Sequence, residues 1–211
     1  MIDTVLDKTY HLNKTLKDSS RSMVYLINVN DESLILKEPV EKNERKWIRF
    51  TTLLRKSEAL QSCLSMIKLQ EIGVESNKPL VVVEKKKLGM VVDSWYLCSF
   101  VEGVACSQDA YQNVVETLNK IHQSGYLHGD PQIRNFLQTD TGIQVIDAKM
   151  NQYLSAIQCQ LELVYLNNSA RQTSPYIDRS SLSYKIAEFI MNTIQRLFRS
   201  FKHTVRQLFH A

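Results

Sequence analysis

Glycine and proline are scarce in this chain, at 6 and 4 of 211 residues. That scarcity excludes collagen-like, linker-rich and disordered architectures. No run of eighteen apolar residues occurs, so no membrane span is expected. The N-terminal MIDTVLDKTYHLNK carries acidic residues and no continuous apolar core, unlike a secretory signal. A cytoplasmic protein is the expectation. The four cysteines, Cys63, Cys98, Cys106 and Cys159, form no CxxC pair and are expected as buried free thiols. Most of the chain also lacks a charge excess. The net charge is +4, and residues 185–211 hold Lys185, Arg196, Arg199, Lys202 and Arg206 against Glu188 alone, so the basicity belongs to the tail. What remains is an ordinary globular balance, 44% apolar and 23% charged, in a length that suits one sizeable core or two small lobes sharing a cleft.

The first forty residues read as strands. YHLNKTL, MVYLINV and LILKEPV are bounded by KDSSRS and NDES, the pattern of an antiparallel meander. From Trp47 to about Leu69 the apolar period becomes helical, and the glycine of EIGV supplies the stop. PLVVVEKK and LGMVVDSWYLCSFV follow as two more strands. Ser107 is the expected N-cap of a helix whose face carries Ala110, Val114, Val115, Leu118, Ile121 and His122, ending at Gly125. Residues 151–168 and 181–210 carry helical periodicity again. The expected organisation is a strand-rich first half with one helix and a helical second half, joined near SFVEG.

The stretch GYLHGDPQIRNFLQTDTGIQVIDAK, residues 125–149, holds the candidate chemistry. NFLQ and IQVI flank TDTG, whose Asp, Thr and Gly suit a tight reversal. A hairpin here returns Asp147 beside Asn135, with Asp130 in the loop leading in. A carboxylate and an amide oxygen suit a hard divalent cation that also takes water and phosphate oxygens. The remaining carboxylate, Asp130, can accept the proton of an attacking hydroxyl. That combination serves phosphoryl transfer, a reaction of positioning and charge neutralisation.

The order HGDxxxxN, with ID twelve residues after the Asn, resembles the catalytic and metal-binding loops of protein-kinase-like folds. LILK resembles the strand that carries the phosphate-binding lysine, which makes Lys37 the candidate. Glu58 is then the helical carboxylate expected to orient it, with Glu44 and Glu71 as substitutes. SFVEG resembles the hinge that meets adenine through backbone groups, at Phe100 and Val101. GDPQIRNFL, GIQVIDAK and FVEG together are similar to the lipopolysaccharide core heptose kinases, in particular those acting on the second heptose of the inner core. Gln132 and Arg134 stand where that family often shows His and Gly, and no glycine-rich loop precedes MVYLINV.

The resemblance implies an α+β, two-lobed protein-kinase-like fold, with an antiparallel-sheet lobe over residues 1–98 and a helical lobe over 99–211. It implies an ATP- and Mg²⁺-dependent phosphotransferase acting on a heptose hydroxyl of the lipopolysaccharide inner core. Asp130 is the implied catalytic base, Lys37 and Glu58 serve the nucleotide, and Asn135 and Asp147 hold the metal. His128 is expected to support the loop structurally. Arg134 is read equally as a solvated residue or as a ligand for an anion on the acceptor. Alternatives are a pseudokinase scaffold and a kinase of another small hydroxylated acceptor such as an aminoglycoside. The tail from Tyr184, with its apolar stripe and basic residues, is expected to pack on the second lobe in part and to meet the anionic inner-membrane surface. No recognition motif marks nucleic acid as a partner.

Overall fold

The computed structural model describes residues 5, 10–44, 46–171 and 177–193. Five antiparallel strands form the first sheet: β1 (His11–Asp18), β2 (Met23–Val29), β3 (Glu32–Glu38), β4 (Pro79–Lys87) and β5 (Met90–Ser99), in the order β1-β2-β3-β5-β4. The period of two on β3 sorts its side chains onto two faces. Leu34 and Leu36 pack with Ile27, Val29 and Leu97, while Ile35 faces Ala59, Cys63, Met66, Tyr96 and Cys98. Lys37 shares the parity of Ile35 and lies opposite Tyr96 on β5. Alternation therefore puts this lysine on the face that receives the helix Glu58–Glu71.

That helix is shorter than the helical period suggests. The stretch from Trp47 does not continue unbroken to Leu69. Short helices Val40–Glu44 and Lys46–Thr51 come first, then a turn, then Glu58–Glu71. The side chain of Ser57 accepts from Leu60 N–H at 3.1 Å and starts a new helix. Thr51 and Thr52 turn their hydroxyls back onto the carbonyls of Ile48 and Arg49 and close the earlier one. Ala59, Cys63, Met66 and Leu69 then recur at helical spacing and are buried.

The second half is built on the helices Tyr111–Gln123 and Ala156–Ala170. Val114, Val115, Leu118 and Ile121 pack with Leu163, Val164 and Leu166, and Phe136 and Val145 lie in the same core. Ser107 does not cap the first of these helices. Its hydroxyl takes Asp109 N–H at 3.4 Å in a preceding turn, and the helix begins after Ala110 without a side-chain cap. Gly125, at φ 87°, follows the last turn. The remaining strands are β6 (Val104–Ala105), β7 (Tyr126–Leu127), β8 (Phe136–Thr139), β9 (Gly142–Val145) and β10 (Asn151–Gln152); β6-β8-β9 form one small sheet and β10-β7 another. Helix also runs over residues 182–193, with Tyr184 and Ala187 buried and Phe189 exposed. The basic part of the tail, Arg196, Arg199, Lys202 and Arg206, lies outside the described residues.

Cys63, Cys98 and Cys106 are buried free thiols, whereas Cys159 is free but only half-buried, against expectation, and burial pushes the Cys98 thiol up to about 12. Among the described residues no helix is long and apolar enough to cross a membrane.

Candidate active site

After β7 the chain turns through His128, Gly129 and Asp130. Gly129 sits at φ 85°, and a Cβ there would lie 2.2 Å from the carbonyl oxygen of Lys149, so only glycine fits this crossing of two loops. His128 is fully buried. Its Nδ1 accepts from Asp130 N–H at 3.3 Å, and its ring lies 5.0 Å from that of Phe136. Burial holds the imidazole down to about 4, so it is neutral at pH 7. With Nδ1 accepting, the proton belongs on Nε2, which has no partner among the described residues.

Glu162 fixes this loop from behind. Its carboxylate accepts His128 N–H at 2.9 Å and Gly129 N–H at 2.6 Å, and His122 Nε2 lies 2.9 Å away. All three contacts are made by a side chain only 10% exposed. The buried N–H of His128 and the more exposed N–H of Gly129 are thereby satisfied by a carboxylate acceptor, the stronger class of hydrogen bond.

Asp130 is held at both carboxylate oxygens. Gln132 Nε2 donates to Oδ1 at 2.7 Å, and Asn135 Nδ2 lies 3.4 Å from Oδ2 and 2.8 Å from the Asp130 carbonyl. Gln132 Nε2 also reaches Tyr165 Oη at 2.8 Å, and Ser169 Oγ accepts Ile133 N–H at 3.1 Å. A short 3₁₀ turn, Ile133–Asn135, delivers Asn135 to the head of β8. The expected hairpin forms, with Leu137 opposite Gln144 and Thr139 opposite Gly142. Ile146 N–H donates to the Asn135 carbonyl at 3.0 Å, so Asn135 and Asp147 flank the hairpin's open end.

From the sheet side, Lys37 Nζ lies 2.8 Å from Asp147 Oδ2 and 5.8 Å from the centre of the Tyr96 ring. Burial opposes the charge on this amine, but Tyr96 and Asp147 outweigh it and hold the lysine above its usual range. Glu58 does not pair with Lys37. Its Oε1 lies 2.6 Å from Lys149 Nζ, two residues beyond Asp147. The reason is local. Met150 N–H donates to Ser65 Oγ at 2.9 Å and ties this segment to the helix of Glu58, while Asp147 already occupies Lys37.

Phe100 and Val101 follow β5 as an irregular segment, and Phe100 N–H donates to the Ser33 carbonyl at 3.3 Å. Arg134 is exposed, and its charge reaches Tyr165. In the turn between β1 and β2, Ser19 Oγ accepts Ser22 N–H at 3.2 Å. No cluster of three or more His, Cys, Asp or Glu side chains forms a metal cage among the described residues. The donor set of Asn135 and Asp147 nonetheless fits Mg²⁺, which takes few protein oxygens and completes its shell with phosphate and water. Asn135 Nδ2 is committed to Asp130, which directs the amide oxygen away from that carboxylate.

Two residues of this site escape the sequence reading. Glu162 leaves one trace, a lone carboxylate inside the apolar CQLELVYL. Lys149 is readable only as a neighbour of Asp147, and Gln132, noted as a departure from the family pattern, is read without its bond to Asp130.

A family model described as Lipopolysaccharide core biosynthesis protein (WaaY) matches residues 1–160. No curated protein matches. Among solved structures, WaaP in complex with acyl carrier protein is similar at a TM-score of 0.53 and 13% identity, over 98% of this chain and 92% of that one. The kinase domain of Mycobacterium tuberculosis PknI is similar at a TM-score of 0.48 and 16% identity, over 82% and 76%. The fold is α+β and protein-kinase-like, an antiparallel-sheet lobe followed by a helical one.

Proposed function

The chain belongs to the lipopolysaccharide core biosynthesis (WaaY) family, and from that premise we propose how its cleft performs the family's reaction. The chain is a phosphotransferase that phosphorylates a heptose hydroxyl of the lipopolysaccharide core. ATP is the donor in this proposal, and the lobes meet at residues 98 and 99.

Asp130 orients the acceptor hydroxyl and takes its proton as the oxygen bonds to the γ-phosphorus and the bond from that phosphorus to the bridging oxygen breaks, releasing ADP. Gln132 and Asn135 hold its carboxylate in place, so little reorganisation is needed at the moment of attack. Lys37 grips the nucleotide phosphates, Asn135 and Asp147 hold Mg²⁺, and Glu58 serves the same side of the cleft. Mg²⁺, when bound, neutralises charge on the transferring phosphoryl group. Phe100 and Val101 meet the adenine with backbone groups. His128 stays neutral and fixes the Asp130 backbone, and Arg134, exposed beside the loop, contacts an anion on the acceptor. The enzyme works at the cytoplasmic face of the inner membrane, where the core precursor resides.

The observation that supports the assignment of roles is the doubly held carboxylate of Asp130, together with Lys37 reaching Asp147 from the sheet. The test is label transfer from γ-labelled ATP with Mg²⁺ to core lipopolysaccharide lacking heptose phosphate. Label on the glycolipid, absent when the heptose is already phosphorylated, supports the reading. Mg²⁺-dependent nucleotide binding without transfer counts against the acceptor, and absence of nucleotide binding counts against ATP.

A further inference from the structure

We propose that an apolar ridge on the sheet lobe, formed by Trp47, Phe50, Leu53, Leu54 and Leu88, docks the enzyme onto an anionic lipid bilayer. Trp47 is 66% exposed, Phe50 67%, Leu54 94% and Leu88 85%. Single exposed apolar side chains are ordinary, but a contiguous group of large ones marks an interaction surface. Contiguity follows from two contacts. Val91 N–H donates to Thr52 Oγ1 at 2.8 Å, and Leu53 Cδ2 lies 3.2 Å from where a Cβ at Gly89 would be. The turn after Thr51 and the tip of the β4–β5 hairpin therefore present one surface.

Leu88 violates two expectations at once. Its φ of 52° lies in the left-handed region, where such a turn ordinarily takes Asn or Gly, and its side chain points into solvent. The fold gains no packing from it. Strained residues of this kind cluster at functional sites.

Charge decides the occupant. Arg49, Arg55 and Lys56 flank the ridge in the chain before Ser57, and Lys85, Lys86 and Lys87 lead into Leu88, with Lys85 and Lys87 on one face of the strand, against Glu84, which pairs with Lys86 at 3.3 Å, and Asp93, opposite Lys85 in the strand register. A cationic rim around protruding Trp, Phe and Leu tips suits the boundary of lipid headgroups and acyl chains. Leu54 and Leu88 are too exposed to line a groove for a protein helix, and they suit insertion instead. The ridge also adjoins the site. Its segment runs into Ser57 and Glu58, and a small cavity of about 150 Å³ lined by Trp47, Arg55 and Glu58 lies between them. Docking through this ridge brings the cleft next to the lipid surface. The inference rests on the ridge and stands apart from the identity of the acceptor.

The test uses the full-length chain and vesicles free of core glycolipid, so failure of the kinase assignment leaves its outcome untouched. Vesicles of phosphatidylcholine with or without phosphatidylglycerol carry brominated acyl chains, and tryptophan emission is followed. The expected result is quenching of Trp47 on the anionic vesicles, lost in Trp47→Phe, which retains only Trp95. Replacing both Leu54 and Leu88 by Ser weakens binding by on the order of tenfold or more, with an unchanged thermal unfolding midpoint as the control for folding. Each Lys→Gln change at 85, 86 or 87 weakens it roughly fivefold at low salt. Absence of vesicle binding overturns the proposal. So does vesicle binding that leaves Trp47 unquenched, or a Trp47 response to an acidic soluble protein alone.

Discussion

On the helical side of the cleft, residues 128–135 are held by a connected hydrogen-bond network anchored on the buried Glu162. Glu162 takes two backbone N–H groups, and Asp130 is held by Gln132 and Asn135. On the sheet side, Lys37 and Glu58 are held by ion pairs whose partners, Asp147 and Lys149, are each 38% exposed. Buried networks are rigid because breaking one leaves an unsatisfied polar group, whereas partly exposed ion pairs contribute about 0–1 kcal/mol and reform easily. The acceptor side is therefore ordered in advance, and the nucleotide side is adjustable. Both adjustable pairs draw on the segment Asp147–Lys149, and Lys37 can leave Asp147 for phosphate by a side-chain movement alone.

The largest expected effect is on turnover. Asp130→Asn keeps the shape of the loop but removes the proton acceptor, and kcat falls by about 10²–10⁴-fold with nucleotide affinity unchanged. Glu162→Ala comes next. It strands the buried N–H of His128, at a cost of about 1–3 kcal/mol, and frees the more exposed N–H of Gly129 to water, so urea denaturation should show a loss of about that order together with reduced kcat. A loss confined to nucleotide affinity would remove the distinction between the two sides.

His128 makes the comparison sensitive to pH. Its folded value of about 4 lies below the ordinary 6.5, so the unfolded chain binds more protons between them. Stability is intact above the unfolded value and falls as pH drops toward the folded one, by on the order of 3 kcal/mol in total. Denaturation midpoints measured across this window should show that slope, and His128→Leu should flatten it. The smallest effect belongs to the sheet side. Glu58→Gln should raise the nucleotide KM by a few-fold at most and leave kcat nearly intact, because the pair with Lys149 is partly solvated. A collapse of kcat in this variant would show that Glu58 is as tightly coupled to the chemistry as Asp130.

Much of the architecture was legible where local rules act alone. TDTG between two short apolar runs specifies the hairpin, and the alternation of LILK specifies which face Lys37 takes. Partner choice was not legible. Glu58 and Lys149 are brought together by the bond of Met150 to Ser65, a tertiary contact that no spacing encodes. The break between Trp47 and Leu69 was hidden for another reason. Trp47, Phe50, Leu53 and Leu54 continue the apolar period, yet they face solvent, so the pattern that usually marks a core marks a surface here. Glu162 was missed because a carboxylate in an apolar helix announces a buried role without naming its partner.

The central claim, that Asp130 performs the chemistry on a loop ordered before the nucleotide arrives, is tested most directly by one measurement. MgATP affinity and single-turnover phosphoryl transfer to core lipopolysaccharide are determined side by side for the parent and Asp130→Asn. The account predicts matching affinities and transfer slowed by at least about a hundredfold in the variant. Transfer at the parental rate would contradict it.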